Sequence, residues 1–262
     1  MIDFERKTAY QADDLVEILR LLRAPGGCPW DREQTHESIR RNFLEEAYEA
    51  VEAIDQKDPE HLREELGDVL MQVAFHAVME EEAGRFDWND VADQVCKKLI
   101  FRHPHVFGET TVSGTGEVLT NWEALKRQEK GQQSTTDALE AVARSLPALW
   151  RAEKVQKKAS KAGFDWPDVS GALDKLSEEV AELRQAMVEG TNPEEELGDV
   201  LFSAVNVARF LKADPEVILQ QASDKFISRF AKVEQAAQRQ NRAMEDMELA
   251  ELDKLWEMAK ET

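Results

Sequence analysis

Carboxylates dominate the chemistry available to this sequence. Glu178, Glu179 and Glu182 form the pattern EExxE, and Glu196 and Asp199 the pattern ExxD. Both patterns also occur earlier, as Glu45, Glu46 and Glu49 followed by Glu65 and Asp68. Each ExxD lies inside the same seven residues, EELGDVL, at Glu64–Leu70 and Glu195–Leu201, and this identity marks an internal duplication. At about 100° per residue, Glu179 falls beside the apolar stripe of Leu173, Leu176, Val180, Leu183 and Met187. Glu182 lies a little further round, and Glu178 nearly opposite the core. On the following helix Leu197, Val200, Leu201, Ala204, Val205 and Ala208 leave a narrow polar seam of Glu196, Asp199, Ser203 and Asn206. Antiparallel packing of the two helices would bring Glu179, Glu182, Glu196 and Asp199 together. Such a cluster either protonates or takes up a divalent cation.

The ligand types select the cation. All five histidines and both cysteines lie in the first half of the chain, so the second set is all oxygen and suits Mg²⁺ or Mn²⁺ rather than Zn²⁺. Di-iron carboxylate bundles require Glu-x-x-His pairs, which neither acidic helix pair supplies. Downstream of each heptapeptide stands a basic pair at i,i+4, Lys98 with Arg102 and Lys225 with Arg229. Like charges at that spacing cost roughly 0.2 to 0.5 kcal/mol unless an anion such as a phosphate chain lies between them. A tryptophan follows in each half, Trp122 and Trp256, placed either to cover a nucleobase or to pack in the core. Gly67 and Gly198 each cost a helix about 1 kcal/mol relative to alanine. They mark close approach of a neighbouring helix or ligand, or a relic of the duplication. Any one of these features is ordinary in a chain with 53 acidic residues; the ordered set, seen twice, points to a metal–phosphate site.

The elements that must position these residues read as helices throughout, without any convincing alternation of period two. The expected first helix, from Ala9 to Arg23, is stopped by Pro25-Gly26-Gly27, and Cys28-Pro29-Trp30-Asp31 reads as a compact loop. Helices follow from Thr35 to Ile54, after Asp58-Pro59, and from the cap Asp87 to Arg102. Residues 107–119 read as loop, and 121–127 as a short helix. In the second half a long helix from Ala138 to Lys161, interrupted or bent near Pro147, leads to Gly163-Phe164-Asp165-Trp166. Asn192-Pro193 and Asp214-Pro215 cap the next two helices, and a short helix around Leu255 closes the chain. The expected fold is all-α, two tandem helical-bundle repeats: residues 1–127, a polar linker 128–137, and residues 138–262 as the main catalytic unit.

Composition narrows the partners. The 262 residues carry a formal net charge of −20, which argues against a nucleic acid polymer or an anionic membrane as partner. Cys28 and Cys96 give neither a disulfide framework nor a metal spacing, and a reducing cytoplasm is the simplest setting. The N-terminal MIDFERKTAYQADD lacks the apolar run of a signal peptide, and no stretch reaches the roughly 20 apolar residues of a membrane span.

These motifs resemble the MazG family of nucleoside triphosphate pyrophosphohydrolases, whose signature is EExxE followed by ExxD. The likeness extends to CPWD at Cys28–Asp31, RHPHVFG at Arg102–Gly108 and GFDW at Gly163–Trp166. The resemblance implies an all-α homodimer that uses Mg²⁺ (Mn²⁺ as substitute) and hydrolyses nucleoside triphosphates, ribo- and deoxyribo- alike, to monophosphate and pyrophosphate. It further implies Glu179, Glu182, Glu196 and Asp199 as metal ligands, with Lys175, Glu178, Lys225, Arg229 and Trp256 lining the nucleotide pocket. Glu178 is the spare carboxylate for the attacking water. In the first repeat the corresponding sets are Glu46, Glu49, Glu65 and Asp68 for metal, and Glu45, Lys98, Arg102 and Trp122 for nucleotide. Gln72 and Phe75 stand there in place of Ser203 and Asn206, so the second repeat is expected to be the active one. The competing reading is a helical scaffold or nucleotide-binding module with one or both sites silent.

Overall fold

The computed structural model describes residues 4–129 and 131–260, without the side chains of Leu119, Glu123 and Arg127. The described residues form helices and connecting turns, with no strand among them. The chain divides into two compact units, residues 1–126 and 127–262. The first contains α1 (Ala12–Arg23), α2 (Pro29–Glu33), α3 (His36–Gln56), α4 (Pro59–Glu82), α5 (Trp88–Arg102) and α6 (Pro104–Phe107), and α7 (Thr115–Glu129) begins in it. The second contains α8 (Thr135–Glu140), α9 (Ala148–Lys161), α10 (Val169–Glu189), α11 (Pro193–Phe210), α12 (Pro215–Arg239) and α13 (Leu249–Lys260).

In each unit the two acidic helices form the main packed pair, α3 with α4 and α10 with α11. Short polar caps set their ends. Thr35 accepts from the Ser38 N–H, and Asp58 accepts from the N–H groups of Glu60 and His61, with proline at the first helical turn. Asp214 caps α12 and also accepts from the Trp150 indole at 2.8 Å, tying α9 to the start of α12. The first core joins Val16 and Leu19 of α1 to Ile39 of α3 and to Ala74, Phe75, Val78 and Met79 of α4. The second joins Val233 and Ala237 of α12 to Met247, Leu255 and Ala259.

Several expectations are corrected. CPWD is helical: Arg23, buried at the end of α1, binds Glu82 through two hydrogen bonds of 2.8 and 2.7 Å and donates to the carbonyls of Asp31 and Gln34. These bonds fix a turn that hydrophobic periodicity does not reveal. The expected helix from Ala138 to Lys161 is two helices, because Pro147 takes the cap of α9 with a ψ of 139° and breaks the chain there. The stretch read as loop and short helix over 107–127 holds a longer α7, and α6 stands just ahead of it, ending at Phe107. The expected linker is partly helical, in α7 and α8, and its Lys130 lies outside the described residues. Asn192 is no acceptor cap; at φ 46° it is left-handed, and its amide donates to Glu195.

GFDW is structural as well. Asp165 receives two hydrogen bonds from Arg209, one of them at 2.9 Å, and Trp166 lies on Gly171. A Cβ at Gly171 would stand 2.2 Å from the indole Cδ1, so Gly171→Ala is expected to force the indole off the helix. Overpacking of this kind costs about 1–3 kcal/mol, to be read as a lowered midpoint in thermal unfolding.

The first unit also holds a polar chain with no counterpart in the second. His36 and His76 stack with their Nδ1 atoms 2.7 Å apart, His36 Nε2 lies 2.7 Å from Glu80, and Arg85 donates to Glu80. Burial, then the neighbouring His36, hold His76 below the ordinary imidazole value of 6.5. The folded chain therefore keeps this ring neutral while the unfolded chain takes up the proton. The stabilisation is complete above the unfolded value and shrinks as pH falls through it. First-unit stability should decline from about pH 7 to about pH 5, and His76→Gln should flatten that slope in denaturant titrations.

Candidate active site

The second unit gathers its carboxylates where α10 meets α11. Oxygens of Glu179, Glu196 and Asp199 lie within 4.8 Å of one another, and Glu179 is only 6% exposed. Oxygen ligands at about 2.0–2.1 Å from Mg²⁺ span comparable separations, so this donor set fits that ion. Glu182 falls outside the three-residue group. It shares a hydrogen bond with Glu179, which with burial raises it above the usual carboxylate range. Lys175 bridges Glu178 at 2.8 Å and Glu179 at 2.7 Å, and these bonds push its ammonium above its ordinary value. Glu178 is exposed, as its position opposite the core requires. Behind the cluster Ser203 and Asn206 are buried, and Asn206 accepts from Arg209, the residue clamped by Asp165. Sequence reasoning missed this support; the one available signal was an arginine in the last turn of α11, downstream of the polar seam.

The first unit repeats the arrangement where α3 meets α4, with Glu46, Glu49 and Glu65 within 4.8 Å. Burial, then Asp68, Glu49 and Glu65, raise Glu46 above the carboxylate range. Asp68 therefore acts on the cluster without joining the three. One oxygen of the buried Glu65 meets His61 at 3.1 Å, and the other has no partner among the described residues. Gln72 is buried in the place of Ser203, and Phe75 in that of Asn206.

The basic pairs and the tryptophans stand on other helices than the carboxylates in both units. Lys225 and Arg229 form no ion pair among the described residues and stand on α12 beside Phe226. Trp256 is half-buried and packs on Phe226, ring centroids 5.1 Å apart, against the α12–α13 core. In the first unit Arg102 lies over the Trp122 ring at 5.5 Å and His103 meets its edge at 4.7 Å, while Lys98 is half-buried on α5 and Glu45 pairs with Arg41. Both indoles thus touch neighbouring side chains of their own unit.

The wheel is corrected on one point. It placed Leu197, Val200 and Leu201 in the core, yet Leu197 is 48% and Leu201 53% exposed, with Leu66 of the first heptapeptide also at 53%. On α11 Ser203 and Asn206 of the polar seam are buried, Glu196 is half-buried and Asp199 exposed, while Val205 and Ala208 keep to the interior and Leu197 and Leu201 face outward. A Cβ at Gly67 or Gly198 would meet nothing within 4 Å among the described residues.

A family model described as the MazG nucleotide pyrophosphohydrolase domain matches residues 34–107 and again 169–234, each match spanning one carboxylate cluster and its two helices. The chain belongs to the MazG family. A MazG relative from Escherichia coli (strain K12), named nucleoside triphosphate pyrophosphohydrolase, is 44% identical over 255 residues, covering 95% of this chain and 97% of its own. A second, from Thermotoga maritima, named nucleoside triphosphate pyrophosphohydrolase/pyrophosphatase MazG, is 45% identical over 248 residues and 95% of each chain. A Bacillus subtilis protein, YabN, is 47% identical over 248 residues, which cover 94% of this chain and 50% of that one. The MazG matches exclude Trp122 and Trp256 but include both basic pairs. As a member of the MazG family the chain is an enzyme, a pyrophosphohydrolase. No helix among the described residues is long and apolar enough to cross a membrane.

Proposed function

We propose that the chain hydrolyses nucleoside triphosphates, ribo- and deoxyribo- alike, to the monophosphate and pyrophosphate in a Mg²⁺-dependent reaction, with water attacking the α-phosphate in the second unit. The observation that carries this reading is the buried Glu179 brought within 4.8 Å of Glu196 and Asp199 in a MazG domain. These three residues would hold the ion, with the Glu182 carboxyl beside Glu179. An ion held there would supply polarisation of the phosphate and a lowered pKa for water. Glu178, outside the cluster, accepts the proton of the attacking water. The new bond forms at the α-phosphorus as the bridge to the β-phosphate breaks, and Lys225 and Arg229 neutralise the departing pyrophosphate. Lys175 releases Glu179 to the ion and keeps Glu178 in place. Trp256, beside Phe226, borders the nucleotide. In the first unit Glu46, Glu49, Glu65 and Asp68 form a second cation site whose pocket, lined by Gln72 and Phe75, turns over poorly.

The exposed Leu66 and Leu197 support a homodimer, since large apolar side chains left open by one chain are commonly buried in assemblies. Two free cysteines accord with a reducing, cytoplasmic setting. The test is digestion of ribo- and deoxyribonucleoside triphosphates with Mg²⁺, with Mn²⁺ and with chelator, products resolved by ion exchange. Monophosphate and pyrophosphate are expected only with metal. Diphosphate and orthophosphate, or an equal rate in chelator, would contradict the proposal.

A further inference from the structure

On the flank of α11 away from the carboxylates lies a cleft of about 830 Å³ that the reaction does not use. Its floor is apolar, with Leu149 and Val155 of α9 facing Phe202 and Val205 of α11, and the bare backbone at Gly198 opens onto it. The volume is that of a small-molecule site. Its rim is unusual for so acidic a chain. Arg144 and Arg151 both line the cleft, and neither makes an ion pair among the described residues. The Arg151 Nε is buried with no hydrogen-bond partner. A buried guanidinium donor without an acceptor is costly, and in a chain of net charge −20 a carboxylate partner would be easy to supply. The one acid on the rim, Glu140, pairs with neither arginine. Gly198 sits between Leu197 and Asp199, and its missing side chain keeps this flank open while Glu196 and Asp199 turn toward α10.

We propose that this cleft binds a small amphipathic anion, an apolar body lying between α9 and α11 with a carboxylate, sulfonate or phosphate held by Arg144 and Arg151. The ligand packs on the turn of α11 that carries half of the metal cluster, on the opposite side. The inference stands independently of which triphosphate is hydrolysed.

The probe is 1-anilinonaphthalene-8-sulfonate, titrated by fluorescence into the full chain, beside N-phenyl-1-naphthylamine, which has the same rings without the sulfonate. The sulfonate is expected to bind more tightly than its neutral analogue. An Arg144→Gln, Arg151→Gln double variant should weaken it at least about tenfold, the worth of one charge-assisted hydrogen bond. Ala152→Trp, which fills the cleft from α9, should remove the same binding component while leaving hydrolysis intact. Equal binding of the two dyes, or an unchanged affinity in the double variant, would overturn the proposal. So would a halving of the particle mass in Ala152→Trp, which would show the cleft to be covered by a second copy of the chain.

Discussion

Glu179→Gln should lower turnover more than about 100-fold, equivalent to about 2.7 kcal/mol of transition-state stabilisation, while Glu46→Gln should leave it within a few-fold of the parent. The asymmetry follows from what surrounds the two clusters. Glu179 is the buried member of its set and meets Glu196 and Asp199 directly, and the seam behind it ends in Ser203 and Asn206, with Asn206 held by Arg209. Around Glu46 the equivalent positions are Gln72 and Phe75, and His61 already occupies one oxygen of Glu65. The amide keeps the shape of the side chain but removes the charge that offsets a divalent cation. The loss should therefore appear together with a weakened Mg²⁺ requirement curve rather than with unfolding. Full activity in Glu179→Gln would move the chemistry to the first unit.

A Leu66→Lys, Leu197→Lys double variant should convert a dimer into monomers. Both leucines occupy the same position of the duplicated heptapeptide and are about half exposed within one chain, although Leu66 follows the buried Glu65 and Leu197 the half-buried Glu196. Burying a leucine contributes about 2 kcal/mol. Four leucines in a symmetric pair of chains thus contribute on the order of 8 kcal/mol, more than five decades in Kd. Light scattering after size exclusion checks this directly. A parent chain of monomer mass, or a double variant that keeps the dimer mass, would remove the assembly from the proposal.

The same leucines show where pattern reading reached its limit. Amphipathic analysis assumes that the apolar side of a helix faces the core of its own chain and the polar side faces water. On α11 the polar seam of Glu196, Asp199, Ser203 and Asn206 runs along the junction with α10, and Leu197 and Leu201 face out. The wheel brought the acidic seam to the neighbouring helix and placed Val205 and Ala208 inside, and it failed at Leu197 and Leu201, which face out. Helix starts marked by Asp58-Pro59, Asp87 and Asp214-Pro215 were legible because each depends on a local side chain bonding to a nearby N–H. The turn at CPWD was not, since it is held by Arg23 reaching between α2 and Glu82 of α4. At Pro147 the sequence left an interruption and a bend both open, because proline permits either and the choice is made by packing of α8 and α9. Of the site, the convergence of Glu179 with Glu196 and Asp199 was visible in the spacing; the displacement of Glu182 to a supporting hydrogen bond, and the bridge from Lys175, depend on side-chain geometry that spacing does not encode.

The measurement that bears most directly on the proposed reaction is the fate of oxygen from water. Digestion of a nucleoside triphosphate by the full chain with Mg²⁺ in ¹⁸O-labelled water, followed by mass spectrometry of both products, reports which phosphorus was attacked. Attack at the α-phosphate predicts one labelled oxygen in the monophosphate and none in the pyrophosphate. Label in the pyrophosphate would contradict it.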